Sequence, residues 1–144
     1  MSLDSLRDKL YQALLMIDQL LMPPKITKLA GFIRDYEGAP GDRNYRNSNP
    51  GNCRYHFGGY LPKYGKVTED KDGFAVFPTY QQGWLYLQNM LLNWAKTSRA
   101  NWTILQLMQS YAPVSDGNDP IAYAHNISTR LGIDPSTKLS DLLS

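Results

Sequence analysis

The sequence predicts a mainly α protein of the α+β class: a helical body, one small β lobe and a cleft between them. Three observations carry that reading. Several segments place apolar residues at spacings of three and four, the signature of one buried helix face. Residues 55–60 and 74–77 read as short strands with turn-forming residues between them. The chain has 144 residues, which suits one domain able to bury a core without disulfide bridges.

The elements follow in order. Residues 3–22 form an amphipathic helix on Leu3, Leu6, Leu10, Leu14, Ile17 and Leu21. Asp4 and Asp8 favour its positive N-terminal end, and Pro23-Pro24 stops it. This helix packs on the domain, mediates self-association or links to a larger assembly, and the three readings stay open. It is set apart as residues 1–22, with residues 23–144 as the main domain. A second helix over 25–36 carries the stripe Ile26, Leu29 and Ile33, and Glu37 falls one turn beyond Ile33. Gly38 suits a left-handed helix end. Residues 38–54 lack apolar periodicity and read as a structured loop.

Residues 63–71 are polar and read as a hairpin loop, with Lys71-Asp72-Gly73 as a turn. The strand at 74–77 ends at Pro78. Thr79 caps a helix over 80–96 that aligns Trp84, Leu87, Leu91 and Trp94. Residues 102–111 form another helix. Asp119 caps a third, with Pro120 in its first turn and Gly132 past its end. Residues 141–143 close the chain in a short helix.

Composition removes several function classes. Net charge is +2 and no run of Lys and Arg is present, so no nucleic-acid partner is expected. No run of roughly 18 apolar residues exists to span a membrane, and Asp4 and Asp8 spoil a signal-peptide start. Cys53 is the single cysteine, which excludes an internal disulfide and a Cys-based zinc site. It is either a small packed residue or, with His56 or His125, the nucleophile of a hydrolase. The two histidines lack ligand spacing, so neither a metal nor a cofactor is expected.

The chemistry concentrates after the second helix. Glu37 ends an apolar-patterned helix, where partial burial disfavours its anion and keeps a general acid protonated. The alternative is an ordinary surface Glu at a helix end. Asn49 and Asn52 can each donate and accept hydrogen bonds, as sugar hydroxyls and N-acetyl groups require. Arg54 can clamp a carboxylate, and Gly51 lets backbone approach closely. Glycoside hydrolysis by water needs a second carboxylate. Asp42, Glu69, Asp70 and Asp72 follow in loops, and Asp72, beside the Gly73 turn, is the best placed.

Phe32-Ile33-Arg34-Asp35-Tyr36-Glu37-Gly38, followed by Asn44-Tyr45-Arg46-Asn47-Ser48-Asn49-Pro50-Gly51-Asn52-Cys53-Arg54, resembles phage-associated lysozyme-like proteins. These are virion-associated or prophage-encoded peptidoglycan hydrolases of the lytic-transglycosylase-like superfamily. Gly73-Phe74-Ala75-Val76-Phe77-Pro78-Thr79, Gly83, Tyr111-Ala112-Pro113 and Tyr123 add to the likeness. It covers about residues 26 to 144 and leaves the first helix outside. Cys53 departs from it, standing where an aliphatic residue is expected.

The resemblance implies a lysozyme-like fold and cleavage of the β-1,4 bond between N-acetylmuramic acid and N-acetylglucosamine. Glu37 matches the catalytic acid. Tyr123 resembles a tyrosine on a late helix that reaches into the cleft, the alternative being a core tyrosine. The loop bearing Asn49, Asn52 and Arg54 would flank the glycan. The implied partners are bacterial peptidoglycan and, through residues 1–22, phage virion proteins. The implied location is a virion, or a host cytoplasm with release to the periplasm. A lysozyme would use Asp72 as its second acid. A lytic transglycosylase needs none, because the C6 hydroxyl of the muramic acid closes the ring. A protein on the same scaffold that only builds a virion or binds the wall remains the competing expectation.

Overall fold

The structure, a computed structural model, describes residues 1–56, the backbone of Tyr60–Leu61, and residues 64–144. It is mainly helical with small antiparallel pairings, as an α+β protein. The elements are α1 (Leu3–Leu21), α2 (Pro24–Glu37), α3 (Arg43–Arg46), β1 (Tyr60–Leu61), β2 (Gly65–Lys66), β3 (Thr68–Glu69), β4 (Ala75–Val76), α4 (Tyr80–Lys96), α5 (Ile104–Tyr111) and α6 (Pro120–Leu131). Single 3-10 turns follow at Val114–Asp116 and Leu139–Leu143. The chain divides into two compact units, one of Met1–Met22 with Ile33–Asn89, the other of Pro23–Phe32 with Met90–Ser144. Residues 1–22 therefore share a unit with the Glu37 loop and the strands.

Local signals explain most helix ends. Ser2 accepts from the Ser5 N–H at 3.1 Å and opens α1. Pro24 occupies the first position of α2, where a missing N–H costs nothing. The Thr79 hydroxyl accepts from the Gln82 N–H at 3.3 Å, and Asp119 accepts from Ala122 N–H at 3.1 Å. Gly132 ends α6 at φ 67°, left-handed backbone that glycine enters without strain. Two expectations change. Gly38 is not among the glycines with positive φ; it is needed because a side chain there would strike the Asn44 side chain and Asp42. Within the loop over 38–54, α3 forms one short turn that apolar periodicity cannot reveal.

The strands are also shorter and more numerous than the sequence suggests. β1 pairs with β2 antiparallel, Tyr60 opposite Lys66. β3 pairs with β4, Thr68 opposite Val76 and Glu69 opposite Ala75. The stretch expected as a hairpin loop thus holds β2 and β3. Residues 57–59, part of the strand expected over 55–60, lie outside the described residues.

In the first unit Leu15, Ile33, Val67, Ala75, Phe77, Leu85 and Leu87 are buried. Tyr64 and Tyr86 pack on Phe77, and burial pushes the Tyr86 phenol up to about 12. In the second unit α5 packs on α6. Its core includes Ile26, Leu29, Leu91, Ile104, Leu107, Ile127 and Leu142. The Arg99 guanidinium lies 3.7 Å from the Trp94 ring centroid and 4.3 Å from that of Trp102.

Gly83 shows how tightly α4 meets the loop. A Cβ there would overlap the Ser48 carbonyl oxygen, which is backbone and cannot rotate away. Gly83→Ala is expected to destabilise the protein by about 1–3 kcal/mol through overpacking. A lowered urea midpoint at unchanged slope would register it.

Candidate active site

Glu37 is the last residue of α2 and is half-buried. The Asn52 side-chain N–H₂ donates to its Oε2 at 3.0 Å. Burial raises the Glu37 carboxyl above its ordinary value, and the Asn52 hydrogen bond pulls the other way with smaller effect. Among the described residues no cation contributes to that balance. A carboxyl held this way releases its proton late, as a general acid must.

Two buried asparagines build the loop that presents Asn52. Asn44 is fully buried, and its amide donates to the carbonyls of Arg34 and Pro50, each at 3.2 Å. It therefore ties the last turn of α2 to the loop. Asn49 is 1% exposed. Its Nδ2 donates to the carbonyls of Cys53 at 2.9 Å and Ala75 at 2.8 Å, and its Oδ1 accepts from the Cys53 N–H at 3.0 Å. Both ends of that amide are spent on backbone. Asn49 is a strut, with no group left for a sugar, in contrast to the glycan-holding role expected from its residue type.

The backbone continues this lacing. Ala75 N–H donates to Cys53 C=O at 3.0 Å, Phe77 N–H to Asn47 C=O at 3.0 Å, and Tyr55 N–H to Gly73 C=O at 3.0 Å. The loop thus runs beside the segment holding β4. Gly51 is buried, and a Cβ there would sit 2.7 Å from the Leu87 Cδ1, so the loop meets α4 too closely for a side chain. Asn52 has φ 46°, left-handed backbone that Asn tolerates better than most residues. Its Oδ1 is buried with no hydrogen-bond partner. A half-turn of the amide would bring this acceptor to a protonated Glu37, so one side chain suits both protonation states.

Arg54 is exposed, its guanidinium 4.1 Å from the Phe74 ring centroid and its Nη1 donating to the Asp72 carbonyl at 2.7 Å. Arg43 approaches the same ring at 4.3 Å and pairs with the Asp72 carboxylate at 3.3 Å. Asp72 is exposed, and among the described residues no contact joins it to Glu37. The other loop acids are structural where their bonds are described. Asp42 accepts from the Ala39 N–H at 2.8 Å. Asp70 accepts from the Phe74 and Asp72 N–H groups, each at 2.9 Å, and from Asn47 Nδ2 at 2.7 Å. These bonds, the one from Phe74 foremost, hold its carboxyl below the ordinary range.

Tyr123 is half-buried on α6 and belongs to the second unit, whereas Glu37 belongs to the first. His56 and His125 are exposed and Cys53 is a half-buried free thiol. No group of three metal-ligating side chains gathers among the described residues. A cavity of about 510 Å³ lies between the end of α5 and the start of α6, against Gln109, Val114, Asn118 and Ile121. It contains none of the expected site residues.

Sequence reasoning missed an aromatic group one turn before Glu37. The Arg34 guanidinium pairs with Asp35 at 2.9 Å and lies 5.2 Å from the Trp84 ring centroid. Asp35 foremost, with Tyr80 behind it, holds the guanidinium above its ordinary value. Tyr80 stacks on Tyr45 with centroids 5.7 Å apart and planes at 20°. The available signal was spacing: Arg34 precedes Glu37 by three, and Tyr80 precedes Trp84 by four.

No family model, no curated protein and no solved structure matches this chain.

Proposed function

We propose that this protein is a peptidoglycan glycosidase that cleaves the β-1,4 bond between N-acetylmuramic acid and N-acetylglucosamine, with Glu37 as its acid. The observation that carries the reading is the half-buried Glu37 carboxyl, raised by burial and bonded to the neutral amide of Asn52. The likeness of residues 32–38 and 44–54 to phage-associated lysozyme-like proteins supports it.

In this mechanism protonated Glu37 gives its proton to the glycosidic oxygen as the bond to the muramic C1 breaks. The carboxylate left behind gains the Asn52 hydrogen bond. It then takes a proton from the muramic C6 hydroxyl as that oxygen attacks C1, which closes a 1,6-anhydro ring. Water in place of that hydroxyl gives the hydrolysed product. The transglycosylase outcome is favoured because among the described residues no contact joins the exposed Asp72 to Glu37. Arg54 and Asn52 then flank the glycan, and Asn49 only positions the loop. Carriage in a phage virion, or synthesis in the host with later release, belongs to the same reading.

Purified peptidoglycan and mass spectrometry test this. Products lighter by one water than the hydrolysed muropeptides are expected. Binding on a zymogram without cleared zones would overturn catalysis and assign a wall-binding or structural role instead. Asn52→Gly, which keeps the left-handed backbone, adds a sharper readout. Without the bond that favours the carboxylate, the Glu37 carboxyl rises further, so the alkaline limb of the pH–activity profile is expected to move to higher pH. A limb that stays in place would separate Asn52 from the acid.

A further inference from the structure

The first helix meets its own unit with the face that carries Tyr11, Leu15 and Gln19. Gln82 donates to the Tyr11 hydroxyl at 3.2 Å, and the Gln19 and Gln88 amides exchange hydrogen bonds of 2.9 and 2.7 Å. Tyr11, Leu15 and Gln19 stand four apart on one line, and Leu15 is 1% exposed. The opposite side carries Leu3, Leu6, Leu10, Leu14, Ile17 and Leu21, which are 45–84% exposed. At 1.5 Å per residue the stripe runs about 27 Å. A continuous apolar face of that length marks an interaction surface rather than scattered surface leucines.

We propose that this face docks a second copy of the chain, α1 against α1, antiparallel about a two-fold axis near Gln12. Three arguments commit it to a second copy. Four of the six stripe residues mirror across Gln12, Leu3 with Leu21 and Leu10 with Leu14, and Leu6 and Ile17 stand six and five residues from it; a two-fold interface needs such self-complementarity. The same register sets Arg7 of one copy opposite Ile17 of the other and one residue from its Asp18. The stripe offers on the order of 600 Å² per copy, so the pair buries about 1,200 Å², above the about 1,000 Å² expected of a specific interface. A membrane surface fits worse: Asp4, Asp8 and Asp18 outnumber Arg7 and Lys9 on this helix, and in-plane membrane helices carry a basic polar face. The proposal stands independently of any glycosidase activity.

Sedimentation equilibrium of the full chain across the micromolar range tests it. A dimer mass is expected, falling twofold in Leu10→Glu/Leu14→Glu with the far-ultraviolet circular dichroism unchanged. Orientation is read in a Cys53→Ser background. Oxidation of mixed Leu3→Cys and Leu21→Cys chains is expected to give crossed disulfides in excess over same-variant ones. A monomer at every concentration would overturn the proposal, as would flotation of the wild type with phosphatidylcholine–phosphatidylglycerol vesicles that the double variant loses. Same-variant disulfides in excess would overturn the antiparallel arrangement.

Discussion

Replacing Glu37 by Gln is expected to lower peptidoglycan turnover by about 10²- to 10⁴-fold and to raise the melting temperature at neutral pH. The activity loss follows from removing the only proton that the proposed mechanism delivers to the leaving oxygen. The gain in stability follows from linkage. The folded carboxyl is raised above its ordinary value of 4.5 by burial. Between that value and its folded one, the native state holds the proton more tightly than the unfolded chain, so stability falls as pH rises through the window. A neutral amide at position 37 avoids that loss and still accepts the Asn52 hydrogen bond. The melting advantage of the variant should therefore be present at pH 7 and vanish below about pH 4.5. Calorimetry at the two pH values and a turbidity assay on purified walls check both halves. Full lysis by the variant would remove Glu37 from the mechanism. An equal melting shift at both pH values would remove the buried-acid account.

Asn49→Ala is expected to cost about 2–4 kcal/mol of stability, because it strands the Cys53 N–H and weakens the bonding of two carbonyls in a buried place. Asn52→Gly, three residues on, is expected to unfold near the wild-type urea midpoint. The contrast separates a strut from a site residue. A urea titration of both variants checks it, and equal midpoints would mean that the Asn49 bonds do not hold the loop. Any activity lost by Asn49→Ala should return at low temperature, where the fold is fully populated.

Much of the helical frame was legible in the chain. Thr79, Asp119, Pro120 and Gly132 mark helix ends through bonds and dihedrals that depend on a few neighbouring residues. The half-burial of Glu37 was legible too, because an acid just past an apolar stripe is carried toward the interior. The roles of the asparagines were not. Asn49 and Asn52 are the same residue type in the same loop, yet the Asn49 amide is spent on Cys53 and on Ala75 of the neighbouring segment, while Asn52 reaches Glu37. Gly38 was read as a conformational glycine and proves to be a packing one, since Asn44 reaches it from six residues away. The ion pair of Asp72 with Arg43 was not legible either, since the partners lie far apart in sequence.

The amino-acid order alone determined where most of the long helices end and which acid ends α2, because those outcomes rest on interactions within a turn or two of the chain. Tertiary structure decided which polar groups are consumed internally and which face of α1 is left open. Hydrogen-bond partners and burial depend on segments brought together from far apart, such as Gln19 with Gln88 and Asn49 with Ala75.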